Sequence, residues 1–586
     1  MRVTCRSLLI FLVKLPSFLL LRSQDEEDVQ LFPHPEASLS PRDHITRCPD
    51  NCTCALVDAV DCSGVNLLTF PRNLSQDVQH LFLQNNQLEE IPYDQLSRLS
   101  NLKTLNLHNN HLSSEGLPNE EFRLLESLQY IYLANNKLTV APRLLPSTLR
   151  IADLAANLLT WIYPLTLGQK PSLRSVYLHN NQLTNEGLPS DAFNGSDSIN
   201  TLILSNNKLS QVPANLPPSL IRLHLQNNQI FKIPSGTLSR QPELRELYLQ
   251  NNNLSNRGLD PETFSKLKGL EYLDLSSNQL TEIPCGLPPS LMILHLGKNL
   301  ITSIPEDVVS SIRNLEYLLL QNNRLTADGV HADAFLKMRS LHTLHLYNNQ
   351  LGRVPPGLPK RARSLMILHN QITEIGLNDF AATYHVLELN LSYNQLYSAR
   401  VHRLAFRKLR KLQSLDMSGN LLTLVPAGLP LSLEVLTLQR NQINGLSPDT
   451  MANLTQLREL HLSHNRLRVG AIAPGTWQQL QGLKILDLGS NELSYIPPDL
   501  PESLECLYLQ SNRLTSISTE AFNTTPRLRI LILRSNRLTA ASTPPASFWD
   551  LKLLEVVDTT GNPEHITVNT PRASQRLRPQ NSTSEA

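Results

Sequence analysis

The residues able to do chemistry fall into a few sets, and spacing limits what each can do. Cys48, Cys52, Cys54 and Cys62 form a C-x3-C-x-C-x7-C group. Reduced, such thiols could ligate zinc; oxidised, they make two disulfides whose pairing the spacing leaves open. Disulfides are the expected state in an exported chain. No G-x-S-x-G, H-E-x-x-H or phosphate-binding glycine loop occurs, so no enzymatic activity, metal or cofactor is expected. The formal net charge is +1, which gives the whole molecule no field toward nucleic acid. Sequons fall at Asn51, Asn73, Asn194, Asn253, Asn390, Asn453, Asn523 and Asn581. All but Asn51, which is crowded by cap cysteines, are candidates for N-glycosylation. One basic stretch breaks the neutral average, with Lys360, Arg361, Arg363, Arg403, Arg407, Lys408, Arg410 and Lys411 as its main residues. Its natural counter-ion is a sulfated glycosaminoglycan, and a merely solvated face is the alternative.

The element that must position all of these is a repeat. L-x-x-L-x-L-x-x-N-x-L recurs along the chain, as in Leu102, Leu105, Leu107, Asn110 and Leu112. Its asparagines number 21, from Asn86 to Asn562, at gaps of 24, 26 and 21 residues repeated without a slip, giving a 71-residue superperiod. The pattern predicts an α/β solenoid, a leucine-rich-repeat horseshoe with a concave parallel sheet and a convex side of polyproline and short-helix returns. The x-L-x-L-x segment is a strand with its leucines inward, and each coil buries its apolar edge only against its neighbours. The asparagine amide is expected to bond backbone groups where the strand turns away. Proline-rich returns such as Ile283 to Pro289 fill the 21-residue coils, and a helical turn is expected in the longer ones, as at Ala405 to Leu412.

This frame places the chemistry. Positions six, four and two residues before each asparagine point away from the leucines, onto the concave face. They carry Tyr130, Tyr132, Tyr177, Tyr248, Tyr272, Tyr317 and Tyr347, with Glu246 and Asp274 among their acids. Tyrosines offer a partner rigid area, or pack on one another along the sheet, and acids there suit a basic ligand. Histidines are scattered over too many coils for a multi-ligand metal site. Cys285 and Cys506 lie nine coils apart, about 40 Å at a strand spacing of ~4.8 Å, so they are not expected to pair.

Boundaries follow. Residues 1–23 read as a signal peptide, 24–47 as an N-terminal extension, 48–77 as a cysteine-rich cap, 78–562 as the array and 563–586 as a polar tail. No later stretch is apolar enough for membrane insertion, and the tail carries no lipid-anchor pattern. The cysteine cap followed by short-long-long coils resembles the small leucine-rich proteoglycans of extracellular matrix. That resemblance covers roughly residues 48 to 562. It implies a secreted matrix protein that binds fibrillar collagen and restrains cell growth and migration; a soluble binder of growth factors, morphogens or sulfated glycosaminoglycans is the alternative. The cysteine-locked C-terminal cap of many relatives is not carried over, since no cysteine follows Cys506. No Ser-Gly adjoins the acidic Asp25 to Asp28, so an N-glycoprotein without glycosaminoglycan chains is expected.

Overall fold

The computed structural model describes residues 48–568 apart from Val57. The expected signal peptide, the 24–47 extension and Asn581 lie outside the described residues. Every repeat asparagine is preceded by a three-residue strand that begins six positions before it, as Thr104–Asn106 precedes Asn110. These 21 strands and two from the cap make one 23-stranded sheet. The repeat strands pair in parallel with one inward apolar residue opposite the next, mostly leucine on leucine, as Leu81 faces Leu105, with Ile131, Ala152, Val176 and Val557 as the exceptions. The leucines of the repeat are fully buried; Leu105, Leu107 and Leu112 expose nothing. Each stabilises the stack by about 2 kcal/mol through burial. Because a coil contacts only the coils beside it, the core is one continuous column.

The asparagine ladder ties coil to coil. Asn299 Nδ2 donates to the carbonyls of Leu275 in the preceding coil, Leu296 and Gly297 at 2.9, 3.1 and 3.3 Å. Its Oδ1 accepts from the Leu280 amide at 3.0 Å. The same set recurs at Asn110 and Asn512. One side chain thus satisfies groups that the turn would leave buried and unpaired. The residue just before it has a positive φ, from 48° at Ala156 to 71° at Gly561. Asparagine tolerates that left-handed conformation, and there the exposed Asn85, Asn109 and Asn135 form a second chain of side-chain bonds at 2.9 and 2.6 Å.

Longer returns fill their extra width with large side chains. Phe122, Phe193, Phe264, Phe335, Phe406, Trp477 and Phe548 recur every 71 residues and are all buried. Phe406 stacks on Phe380 of the coil before it at 6.1 Å, as Phe548 does on Phe522 at 6.0 Å. Helical turns occur at Tyr93–Leu96, Pro164–Leu167, Glu306–Val309 and Pro448–Met451, all in 24-residue coils. The helical turn expected at Ala405 to Leu412 is instead a run of tight turns, because Ala405, Leu409 and Leu412 each bond a carbonyl three residues back.

At the N-terminal end β1 (Thr53–Leu56) and β2 (Ala59–Asp61) form a hairpin, and β2 joins β3 (His80–Phe82) in parallel. Disulfides Cys48–Cys54 and Cys52–Cys62 lock this cap over the first coil. At the other end Ile566 and Val568 are buried, so the polar tail starts later than the repeat pattern implied. Apolar residues beyond Asn562 shield the last coil where no cysteine does.

Replacing Asn299 by alanine would strand the Leu275 carbonyl and the Leu280 amide in the core. The expected cost is about 3 kcal/mol, read as faster amide hydrogen exchange confined to the adjoining coils. Unchanged exchange there would refute the ladder's role.

Candidate functional site

The expected tyrosines do line the strand face. Tyr130, Tyr132, Tyr177, Tyr248, Tyr317 and Tyr347 are half-buried on it, whereas Tyr272 is buried. Tyr132 and Tyr177 flank Asp153 in register. Burial, then Asp153, Tyr177 and Tyr130, push the Tyr132 hydroxyl up to about 12, so it stays a proton donor. Burial raises Tyr317 and Tyr347 as well.

The acids are corrected. They occupy the expected positions, but the aspartates four residues before an asparagine turn back on their own strand. Asp153 accepts from the Ala155 amide at 3.1 Å, Asp274 from Ser276 at 2.9 Å and Asp487 from Gly489 at 3.0 Å. Each closes a small ring that ends the strand, as Asx side chains do. Asp274 exposes none of its side chain, so it presents no charge to a partner. Glu246 is also buried and is held by Arg222 at 3.2 Å and the Tyr248 hydroxyl at 3.1 Å.

These groups belong to one chain of contacts. His224 stacks on Tyr248 at 4.2 Å, and Tyr248 packs against Tyr272 at a tilt with ring centroids 4.9 Å apart. The Tyr272 hydroxyl donates to Asp274 at 3.4 Å, which lies 3.3 Å from His295 Nδ1. The other ring nitrogen of His295 meets Gln321 Nε2 at 2.8 Å. Gly297 permits this, since a Cβ there would fall 2.6 Å from that amide nitrogen. Burial lowers His224 to about 4, with Arg222 and His179 adding to it, and lowers His345 to about 4, with His295 adding. Burial raises Asp153 to about 6 against its bond from Ala155.

Asn73, Asn194, Asn253, Asn453 and Asn523 are exposed, as glycan acceptors require. Asn390 is corrected: it is buried and its Oδ1 accepts from the Ser392 amide and hydroxyl at 2.9 and 2.7 Å. It takes the same strand-ending role as the aspartates, so the folded strand face offers its amide no exposed position for a glycan. Lys360, Arg361, Arg363, Arg403, Arg407, Lys408, Arg410 and Lys411 are exposed, and none makes an ion pair among the described residues. They gather only in part. Lys411 reaches His385 at 3.4 Å, and that coil's return stands between Arg361 and Lys411. Cys285 is exposed, Cys506 is buried, and they are not bonded to each other. Glu306, His331 and Asp333 place ligand atoms within 4.8 Å of one another on the return face, outside the histidines considered from sequence. Glu306 pairs with Lys337 at 3.6 Å, and His331 Nδ1 accepts from the Asp333 amide at 3.2 Å.

The sequence reading missed the edge where strands turn into returns. Its signal was the residue before each ladder asparagine, which is itself asparagine in nine of the first twelve coils and in none of the last nine, where it includes His369, Tyr393 and Arg440.

A leucine-rich-repeat profile matches residues 76–138, 218–280, 289–351, 360–422, 428–467 and 502–563. The chain is 54% identical to mouse podocan-like protein 1 over 92% of its own length and 96% of that protein's. It is 56% identical to mouse podocan over 88% of its length and 84% of that protein's. Among solved structures it resembles YopM from Yersinia enterocolitica, with a TM-score of 0.54 at 22% identity, over 88% of this chain and 91% of that one. No helix among the described residues is long and apolar enough to cross a membrane.

The two depressed histidines set a pH dependence. Each takes up its proton in the unfolded chain near 6.5 and in the folded chain only near 4. Their contribution to stability is therefore complete above 6.5 and is lost as pH falls toward 4. Asp153 acts oppositely, adding stability as pH falls below its folded value of about 6. The double variant His224→Gln, His345→Gln should lose less stability between neutral pH and pH ~4 than the parent in urea titrations. An unaltered acid profile would contradict the burial of these rings.

Proposed function

The chain belongs to the podocan family of small leucine-rich proteoglycans, and on that premise we propose that it acts in the extracellular matrix by binding fibrillar collagen along its strand face. One observation carries the reading: within the ten successive coils from Tyr130 to Tyr347, six present tyrosine at strand positions the leucine core does not need. Nine strand spacings of ~4.8 Å give a lane of about 43 Å, suited to a rod and too long for a small ligand. A collagen rod presents proline rings and outward carbonyls from polyproline-type chains. Half-buried tyrosines suit both, since the ring offers rigid apolar area at low entropic cost and the hydroxyl donates. The acids contribute indirectly. Glu246 and Asp274 fix Tyr248 and Tyr272 through their hydroxyls, and so hold the lane in one conformation.

The test is sedimentation of the full-length protein with native collagen fibrils and with heat-denatured collagen. Saturable binding to the native helix alone is expected. The variant Tyr132→Ala, Tyr177→Ala should raise Kd at least about tenfold with unchanged thermal unfolding. Equal binding to denatured collagen, or an unaffected variant, would overturn the reading.

A further inference from the structure

The edge where strands turn into returns changes character along the array. In the early coils asparagine dominates it, with Asn227 and Asn251 bonded at 2.6 Å and Asn322 bonded to Asn348, and only Ala156, Ser277 and Lys298 interrupt the series. From the thirteenth coil on no asparagine stands just before the ladder residue, and the position holds in turn His369, Tyr393, Gly419 and Arg440. Their φ angles are 50°, 52°, 65° and 53°, so the fold still demands the left-handed conformation there. Aromatic and long side chains adopt it at a cost, and here they give up the side-chain bonds that asparagine makes.

What the exchange builds is a platform followed by a row of cations. His369 and Tyr393 stack at 4.5 Å with their planes 2° apart. Tyr393 lies over Gly419, where a Cβ would fall 2.6 Å from its ring, so only glycine lets the ring lie flat. Tyr393 is nonetheless 43% exposed. Beyond it the column one residue after the ladder asparagine reads Arg466, Glu492, Arg513 and Arg537 in consecutive coils, where earlier coils carry residues such as Gln279, Gln350 and Gln371 and their cations Lys137, Lys208 and Arg324 stand at least three coils apart. Backbone bonds of 2.9 Å carry Arg466, Arg513 and Arg537 onto the coil before each, which fixes them at strand spacing. Arg534 adds to the same edge, and all of these arginines are exposed. Glu492 is shared by Arg468 at 2.8 Å and Arg513 at 3.3 Å. Arg440, Arg466, Arg534 and Arg537 make no ion pair among the described residues.

We propose that this edge, from His369 to Arg537, is a binding site for a sulfated glycosaminoglycan chain lying across the coils. Guanidinium groups bind sulfate oxygens in pairs, as they bind other oxyanions, and a row at ~4.8 Å steps suits a linear polyanion better than a single anion. Flat exposed rings at the head of the row suit the C–H faces of sugars, which an acidic peptide lacks. The site is separate from the basic returns at Arg407 to Lys411 and from the tyrosine lane, so it stands or falls independently of collagen binding.

The experiment is retention of the full-length secreted protein on immobilised heparin, with desulfated heparin and polyglutamate as competitors. The variant Arg440→Gln, Arg466→Gln, Arg537→Gln should bind at least about tenfold more weakly at physiological salt, because each lost cation releases fewer counter-ions. Tyr393→Asn, which restores the residue of the early coils, should weaken binding at every salt concentration. The variant Arg407→Gln, Lys408→Gln, Arg410→Gln, Lys411→Gln should bind as the parent does. Intact binding by the triple variant, its loss on neutralising the returns, or equal competition by desulfated heparin or polyglutamate would each overturn the proposal. Should a variant fold poorly, arginine-selective labelling of the parent decides the matter: heparin must protect Arg440, Arg466, Arg534 and Arg537.

Discussion

Everything in this molecule hangs on one buried amide per coil. The ladder asparagine donates to a carbonyl of the preceding coil and to its own strand, and accepts an amide from the preceding return. A turn that sharp would otherwise bury unpaired backbone groups at each of 21 places, and each such group costs about 1–3 kcal/mol. Leucine burial supplies the drive to stack, but it is indifferent to register; the amide is not. Strands of three residues remain aligned from the cap to Val556–Asp558 because each coil's asparagine reads the position of the coil before it.

Once that ladder fixes the backbone, the remaining positions divide by what the coil leaves them. Returns take up the difference between 21, 24 and 26 residues with prolines, helical turns or a buried phenylalanine column. The strand face is less available than alternation implies. Asp153, Asp274, Asn390 and Asp487 end their strands with their own side chains, and His224, Tyr248 and Tyr272 pack on one another. The half-buried tyrosines remain as the surface a partner meets. At the turn edge the fold dictates backbone conformation and leaves the side chain open, which is where asparagine gives way to tyrosine and arginine.

The fold was legible because its determinant is local and repeated: an asparagine and its leucines at fixed offsets carry strand, register and coil number together. The 71-residue column of Phe122, Phe193 and Phe264 was equally periodic, and it escaped notice because leucines dominate the pattern. Burial on the strand face was illegible. Alternation tells which way Asp274 points but not that Tyr272, His295 and the Ser276 amide enclose it, since those contacts depend on neighbouring coils. Asn390 misled for the same reason, its sequon being intact while its amide is already committed to Ser392. Disulfide pairing was likewise settled by the cap's hairpin, which spacing alone did not define.

The central claim is that the tyrosine lane is the collagen-facing surface. Hydroxyl-radical footprinting of the full-length protein with and without native collagen tests it most directly, because each tyrosine reports its own exposure. Tyr130, Tyr132, Tyr177 and Tyr317 should become protected, while Tyr384 and Tyr495, which the structure leaves exposed at 48% and 51%, should not change. Protection of Tyr384 and Tyr495 with an unaltered lane would contradict the account.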